Sequence, residues 1–192
     1  MDRLTVAKQR AHHLLEGIPP ERTYHNREHV EQMVEAAHDL GVEHGLSDAE
    51  LELLEVAGWF HDLGYRNGPA DGHETRSQEL VDEHLSDLFE PSEREKIKAA
   101  IAATEWPQNP TTELEKVLAD ADVHTLGTAD AEHVRETVFE ELKQTEYPDM
   151  SREQFWEARI EMFSDYTYHT PVARNRYQSQ KDKNIDKLRQ KL

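Results

Sequence analysis

The chain has 192 residues, a length that suits one domain with a core needing neither disulfides nor structural metals. It contains no cysteine, which excludes disulfides, thiolate metal sites and cysteine nucleophiles. With 40 acidic and 22 basic residues it carries a formal charge of -18, a surface that repels nucleic-acid polymers and anionic membranes. One small anion is still compatible with that surface, because a bound metal reverses the field locally. Arg outnumbers Lys, so the acidity suits a salt-rich cytoplasm and an ordinary acidic bacterial protein equally; composition leaves both open. No stretch has the apolar length of a membrane span, and the N-terminal MDRLTVAKQRAHHLL has early charges and no cleavable leader pattern. The expected location is the cytoplasm.

Helical periodicity dominates the chain. Residues 25–44 place His29, Val30, Met33, Val34 and Ala37 on one face. Ser47 to Glu50 reads as a capping box, and the helix it opens carries Leu51, Leu54, Ala57, Gly58 and His61 on one stripe. Gly64 and residues 67–72 form a loop, followed by a helix over 73–89. Pro91 starts the next helix, with Ile97, Ala100, Ile101 and Thr104 in register, and the prolines at 107 and 110 end it. Residues 112–125 predict a helix with Leu114, Val117, Leu118 and Ala121 inward. Two longer helices follow over 129–145 and 151–164. No strand run or internal repeat is present. The expected fold is all-α: a single-domain irregular helical bundle over residues 1–170, with a polar C-terminal tail over 171–192. In that tail Ile185, Leu188 and Leu192 are spaced helically, so it reads as a docked helix or a partly disordered extension.

Twelve histidines is a high count for this length. His29 and His61 fall on apolar stripes, so both should point inward. A lone inward histidine is more often a satisfied core residue than a ligand. Two of them, one followed directly by Asp62 at a glycine-terminated helix end, point instead to a borderline divalent cation.

The order His29, then His61-Asp62, then a distant aspartate resembles the HD-domain superfamily of metal-dependent phosphohydrolases. The flanking sequences resemble it too: Tyr24-His25-Asn26-Arg27-Glu28-His29-Val30, Ile101-Ala102-Ala103-Thr104 and Leu118-Ala119-Asp120-Ala121-Asp122-Val123. The likeness runs from Thr23 to Gly127. It implies a helical bundle and one divalent metal ion (manganese, iron, cobalt, zinc or magnesium) held by His29, His61, Asp62 and a fourth ligand. Asp120 and Asp122 compete for that place; they sit about 200 degrees apart on a helix and so cannot face one ion together. The resemblance favours Asp122. His25, one turn before His29, is expected to pack or to contact substrate at the pocket rim.

His73-Glu74-Thr75-Arg76-Ser77 resembles a motif of deoxynucleoside triphosphohydrolases in the same superfamily. It implies that His73 protonates the leaving oxygen and that Glu74 orients or deprotonates water, with Asp62 sharing in catalysis. Plain helix capping is the alternative for Glu74. Arg27 and Arg66 lie near the ligands in sequence and are expected to contact phosphate, although a surface position is the commoner fate of each. Two-metal branches carry a further histidine where this chain has Trp106, and the Gly-Tyr-Pro signature of cyclic dinucleotide enzymes is absent. One metal is therefore expected. The expected partner is a small phosphorylated substrate such as a nucleotide, with no nucleic-acid polymer and no membrane. The sequence does not set the oligomeric state. The expected activity is phosphoester or phosphoanhydride hydrolysis, against two alternatives: a non-catalytic metal- or nucleotide-binding sensor, and a di-iron oxygenase.

Overall fold

Helix termini in this protein are set by side-chain caps, and those caps place the chemistry. Asn26 accepts hydrogen bonds from the amides of Glu28 and His29, so α2 (Arg27–His44) starts two residues later than periodicity suggests and carries His29 in its first turn. Ser47 and Glu50 form the capping box of α3 (Asp48–Phe60), and Thr112 and Glu115 form that of α6 (Glu113–Asp122). The computed structural model describes residues 1–192 and contains no strand. Its remaining helices are α1 (Arg3–Leu15), α4 (His73–Leu85), α5 (Pro91–Ala102), α7 (Ala131–Thr145), α8 (Arg152–Ser164), α9 (Pro171–Ala173) and α10 (Ser179–Arg189). Single 3-10 turns at Leu63–Asn67 and His124–Gly127 follow the two segments that carry the aspartates.

The central core of 30 buried residues draws on the apolar stripes of α1 to α6. Val30, Met33, Ala37 and Leu40 of α2 meet Leu54 and Ala57 of α3, and Val117, Leu118 and Ala121 of α6 close the layer. Gly58 lets α2 and α3 approach, because a Cβ there would stand 2.9 Å from Val34. The N-terminal stretch, read above only for its lack of a leader pattern, is helix α1: Asp2 caps it, and Ala7, Ala11, Leu14 and Leu15 are buried. No helix is long and apolar enough to cross a membrane.

Helices α7 and α8 contribute nothing to that core. They pair through Phe139 and Phe155, ring centroids 5.3 Å apart, and stand off the bundle with a cleft between. The C-terminal segment returns to the bundle. Asp120, fully buried, accepts from the Thr170 amide and hydroxyl at 2.8 and 2.7 Å and from the His169 amide at 2.7 Å. Lys181 Nζ donates to the carbonyls of Phe163 and Tyr166, and Asn184 donates to those of Leu126 and Thr128. Ile185 and Leu188 are buried, whereas Leu192, spaced with them in sequence, is exposed past the helix end.

Replacing Asp120 by alanine strands three donors in the interior, and the expected loss is about 2–4 kcal/mol of stability. Thermal unfolding should show a lowered Tm for Asp120→Ala with metal uptake retained; Asp122→Ala should show the reverse pattern.

Candidate metal centre

Three elements aim polar atoms at one point. His29 reaches it from the first turn of α2. His61 follows α3 directly, and its Nδ1–H donates to the Gly58 carbonyl at 2.8 Å, so Nε2 faces inward as the ring atom available to a metal once its proton is lost. Asp122 is the last residue of α6. His29 Nε2, His61 Nε2 and an Asp122 oxygen lie within 4.8 Å of one another and could hold a metal ion. Asp62 stands at the same point: its Oδ2 is 3.2 Å from His61 Nε2 and 3.4 Å from His29 Nε2, and Asp122 Oδ1 is 3.6 and 3.8 Å from the same two nitrogens. Ligands about 2.1 Å from one ion sit roughly 3.0–3.4 Å apart, so the spacing is that of a single-ion shell, slightly expanded on the Asp122 side.

The unpaired atoms argue the same way. His29 Nε2, His61 Nε2 and Asp62 Oδ2 are buried and have no hydrogen-bond partner in the protein. Buried polar atoms are almost always paired, and three unpaired ones meeting at a point fit a cation. Burial disfavours a charged His61, but Asp62 and Asp122 outweigh it and raise its pKa to about 9. Burial likewise opposes ionisation of Asp62, yet His61, His29 and His73 around it hold its pKa well below the usual carboxylate range.

His73 stands on the other side of Asp62. Its Nδ1 donates to the Ala70 carbonyl at 2.8 Å, and its Nε2 is 3.2 Å from Asp62 Oδ1. Burial lowers its basicity, but Asp62 and Glu74 reverse that and raise its pKa. Glu74 is buried beside it, Oε2 3.2 Å from His73 Nδ1, and burial raises its pKa. Ser77, the last residue of the same sequence motif, ties α4 to the doublet: its hydroxyl donates to the His61 carbonyl at 2.6 Å and accepts from the Gly64 amide at 2.9 Å. Gly64 is required there, because a Cβ would lie 2.0 Å from the His73 carbonyl oxygen.

The residues chosen for phosphate by sequence proximity lie elsewhere, and these two expectations are corrected. Arg27 pairs with Glu31 on the exposed face of α2, one turn along its own helix. Arg66 folds back against Gly17, away from the cleft. His25 does line the cleft, held by Glu141, whose Oε1 is 2.5 Å from His25 Nδ1 and whose Oε2 accepts the amides of Tyr24 and His25. Asp120 faces the C-terminal segment, as described above. Trp106 lines the cleft and packs on Phe163 and Tyr166.

Sequence reading missed the supports. Glu141 is fully buried on α7 and fixes the loop that leads into His29. Glu146 accepts from Arg22 at 2.6 Å and from the Ala70 amide at 3.0 Å, and Ala70 is the residue whose carbonyl orients His73. The Tyr65 ring is stacked between His25 and His73, centroids 4.5 and 4.2 Å away. Nothing local in sequence marks the two glutamates, which sit more than 70 residues from the groups they hold.

An HD-domain family model matches residues 26–126, more than half of the chain and the stretch that contains every one of these inward-facing histidines and aspartates. The protein belongs to the HD-domain family. HD domains bind divalent metals and are mostly metal-dependent hydrolases. No curated protein matches the sequence. A crystal structure of a Lactobacillus plantarum protein, solved as a structural-genomics target, shares the fold at a TM-score of 0.64 and 18% identity, covering 98% of this chain and 96% of that one. The likeness therefore extends past the HD match into α7 to α10.

Two outcomes test the centre. Ser77→Ala leaves the Gly64 amide without its acceptor and should cost roughly 1–3 kcal/mol in denaturant unfolding. An imidazole must be neutral to ligate, and His61 holds its proton up to about pH 9 in the metal-free protein. Metal uptake must expel that proton, so affinity should rise about tenfold per pH unit up to that value. Calorimetry in buffers of different ionisation enthalpy should register one proton released per ion near neutrality.

Proposed function

We propose that this HD-domain protein is a metal-dependent phosphohydrolase that cleaves a phosphoester or phosphoanhydride of a nucleotide or another small phosphorylated metabolite. The observation that carries this reading is the joining of two features at Asp62. One of its oxygens points, unpaired, at His29 and His61, and the other faces His73. His73, Glu74 and Asp122 of this group line a cleft of about 510 Å³, a volume that suits a nucleotide-sized ligand, and His29, His61 and Asp62 are buried beside it.

A divalent ion held by His29, His61, Asp62 and Asp122 would supply Lewis-acid charge at phosphate and lower the pKa of water. Asp62 raises the basicity of His73 and faces its Nε2, which suits His73 to protonate the departing oxygen as the P–O bond breaks. Glu74, with its raised pKa, is suited to take the proton of the attacking water as the new P–O bond forms. His25 stands at the rim of the cleft, where a substrate contact is open to it. The Ala70 and Gly58 carbonyls fix the orientation of both imidazole rings, so little reorganisation precedes proton transfer.

The test is a phosphate-release screen over nucleotides, small phosphorylated metabolites and p-nitrophenyl phosphate with several divalent metals. Turnover is expected with at least one metal and should vanish on chelation. His61→Ala should abolish it with the helical fold kept, and His73→Gln should lower kcat by about 100- to 10,000-fold. Bound metal with no turnover on the whole panel would instead identify a binding module. Two irons per chain with oxygen consumption would identify an oxygenase.

A further inference from the structure

The cleft wall facing the histidines carries an arginine that pairs with nothing acidic. Arg159, on α8, lines the same cleft as Glu74 and Asp122. Most arginines of this acidic chain meet a carboxylate, among them Arg3, Arg10, Arg94, Arg152 and Arg176, and the cleft's other arginine, Arg135, lies over the Trp156 ring with Glu132 and Glu136 of its own helix acting on it. The Arg159 guanidinium instead contacts Met162 Sδ at 3.4 Å and lies over the rings of Phe155 and Phe163, 4.8 and 5.7 Å from their centroids. The ionisable groups that act on it are the phenols of Tyr24, Tyr65 and Tyr147, not carboxylates. Arg159 is half-buried, and that burial lowers its pKa, as expected of a cation with no counter-charge beside it. Tyr24 joins it to the metal centre, since its ring lies 4.5 Å from that of His29 while its hydroxyl lies in the fields of both Asp122 and Arg159.

An unpaired cation in an apolar wall is unfavourable until an anion reaches it, and a guanidinium fork fits two phosphate oxygens at once. Most of the wall beside it is apolar, with Leu126, Val134, Val138, Phe155 and Ile185, while Arg135 and Asn184 add polar atoms. We propose that Arg159 grips the phosphate of the substrate and that the apolar wall beside it receives a flat, apolar substituent. The site then takes phosphate monoesters bearing an aromatic or nucleobase-like group in preference to bare sugar or polyol phosphates. This deepens the phosphohydrolase reading and rests on it. It replaces Arg27 and Arg66 as the phosphate contact.

The experiment uses full-length, manganese-loaded protein and its Arg159→Met and Arg159→Lys variants. Calorimetry measures inorganic phosphate affinity, elemental analysis measures bound metal, and KM and kcat are compared for 1-naphthyl phosphate and glycerol phosphate. Arg159→Met, whose side chain can still pack between Phe155 and Phe163, should keep its metal and lose about 10- to 100-fold in phosphate affinity. Arg159→Lys keeps the charge without the fork and should fall between. The wild type should show a KM about tenfold lower for the naphthyl ester. Unchanged phosphate affinity in metal-loaded Arg159→Met overturns the role of Arg159. If that variant does not fold, Arg159→Lys with wild-type affinity overturns it equally. Equal KM values for the two esters overturn the apolar subsite. A wild type that holds manganese but neither binds phosphate nor releases it from any ester overturns the hydrolase reading, and this inference with it.

Discussion

The arrangement turns on one buried carboxylate. Asp62 is 2% exposed and meets three imidazoles, those of His29, His61 and His73. A carboxylate taken out of water is costly unless charge or hydrogen bonds surround it. Here the surrounding groups are bases whose own polar neighbours are already assigned: Gly58 to His61, Ala70 to His73. Each ring is thereby turned toward Asp62 rather than toward water. The two oxygens of one side chain then face different neighbours, one toward His29 and His61, the other toward His73.

Holding that geometry recruits elements far from it. The loop before α2 is fixed by Glu141 of α7, and the loop before α4 by Glu146 just beyond the same helix. Helix α7 gives nothing to the central core, yet its acidic end braces both approaches to Asp62. Arg22 links the two glutamates and lies over Tyr65, whose ring is stacked between His25 and His73. Backbone amides and stacked rings of this kind position side chains with little freedom left to lose. The same helix and its neighbour α8 form the far wall of the cleft, so the elements that stiffen one side of the centre also shape what can enter.

A net charge of -18 might be expected to expel a phosphorylated substrate. The distribution of charge decides otherwise. Most exposed arginines are committed to carboxylates on the surface, where such pairs contribute little to stability. Arg159 is withheld from that pairing by the aromatic and aliphatic residues around it. Within a wall of low polarity an unpaired cation has a larger local effect than many paired ones outside.

The sequence by itself determined the helical class, because apolar residues at 3.6-residue spacing can be buried only along helix stripes. It also determined the helix starts at Ser47 and Thr112, since a cap acts on amides two or three residues away, whereas periodicity began α2 at residue 25 and the structure caps it at Asn26. It drew attention to His29, His61-Asp62 and His73-Glu74 through their spacing. It could say that Asp120 and Asp122 face opposite ways, but not which way the centre lay; the structure turns Asp122 to the histidines because Thr170 and His169 claim Asp120 from the other side. It did not reveal α1, whose apolar stripe is short and flanked by charge. Arg27 and Arg66 looked suitable because they adjoin ligands in sequence, yet neighbours along a helix point in different directions. Only tertiary structure brought Glu141 and Glu146 to the loops before α2 and α4 and Arg159 to the cleft, since contacts across more than 70 residues are set by how helices pack and leave no local pattern to read.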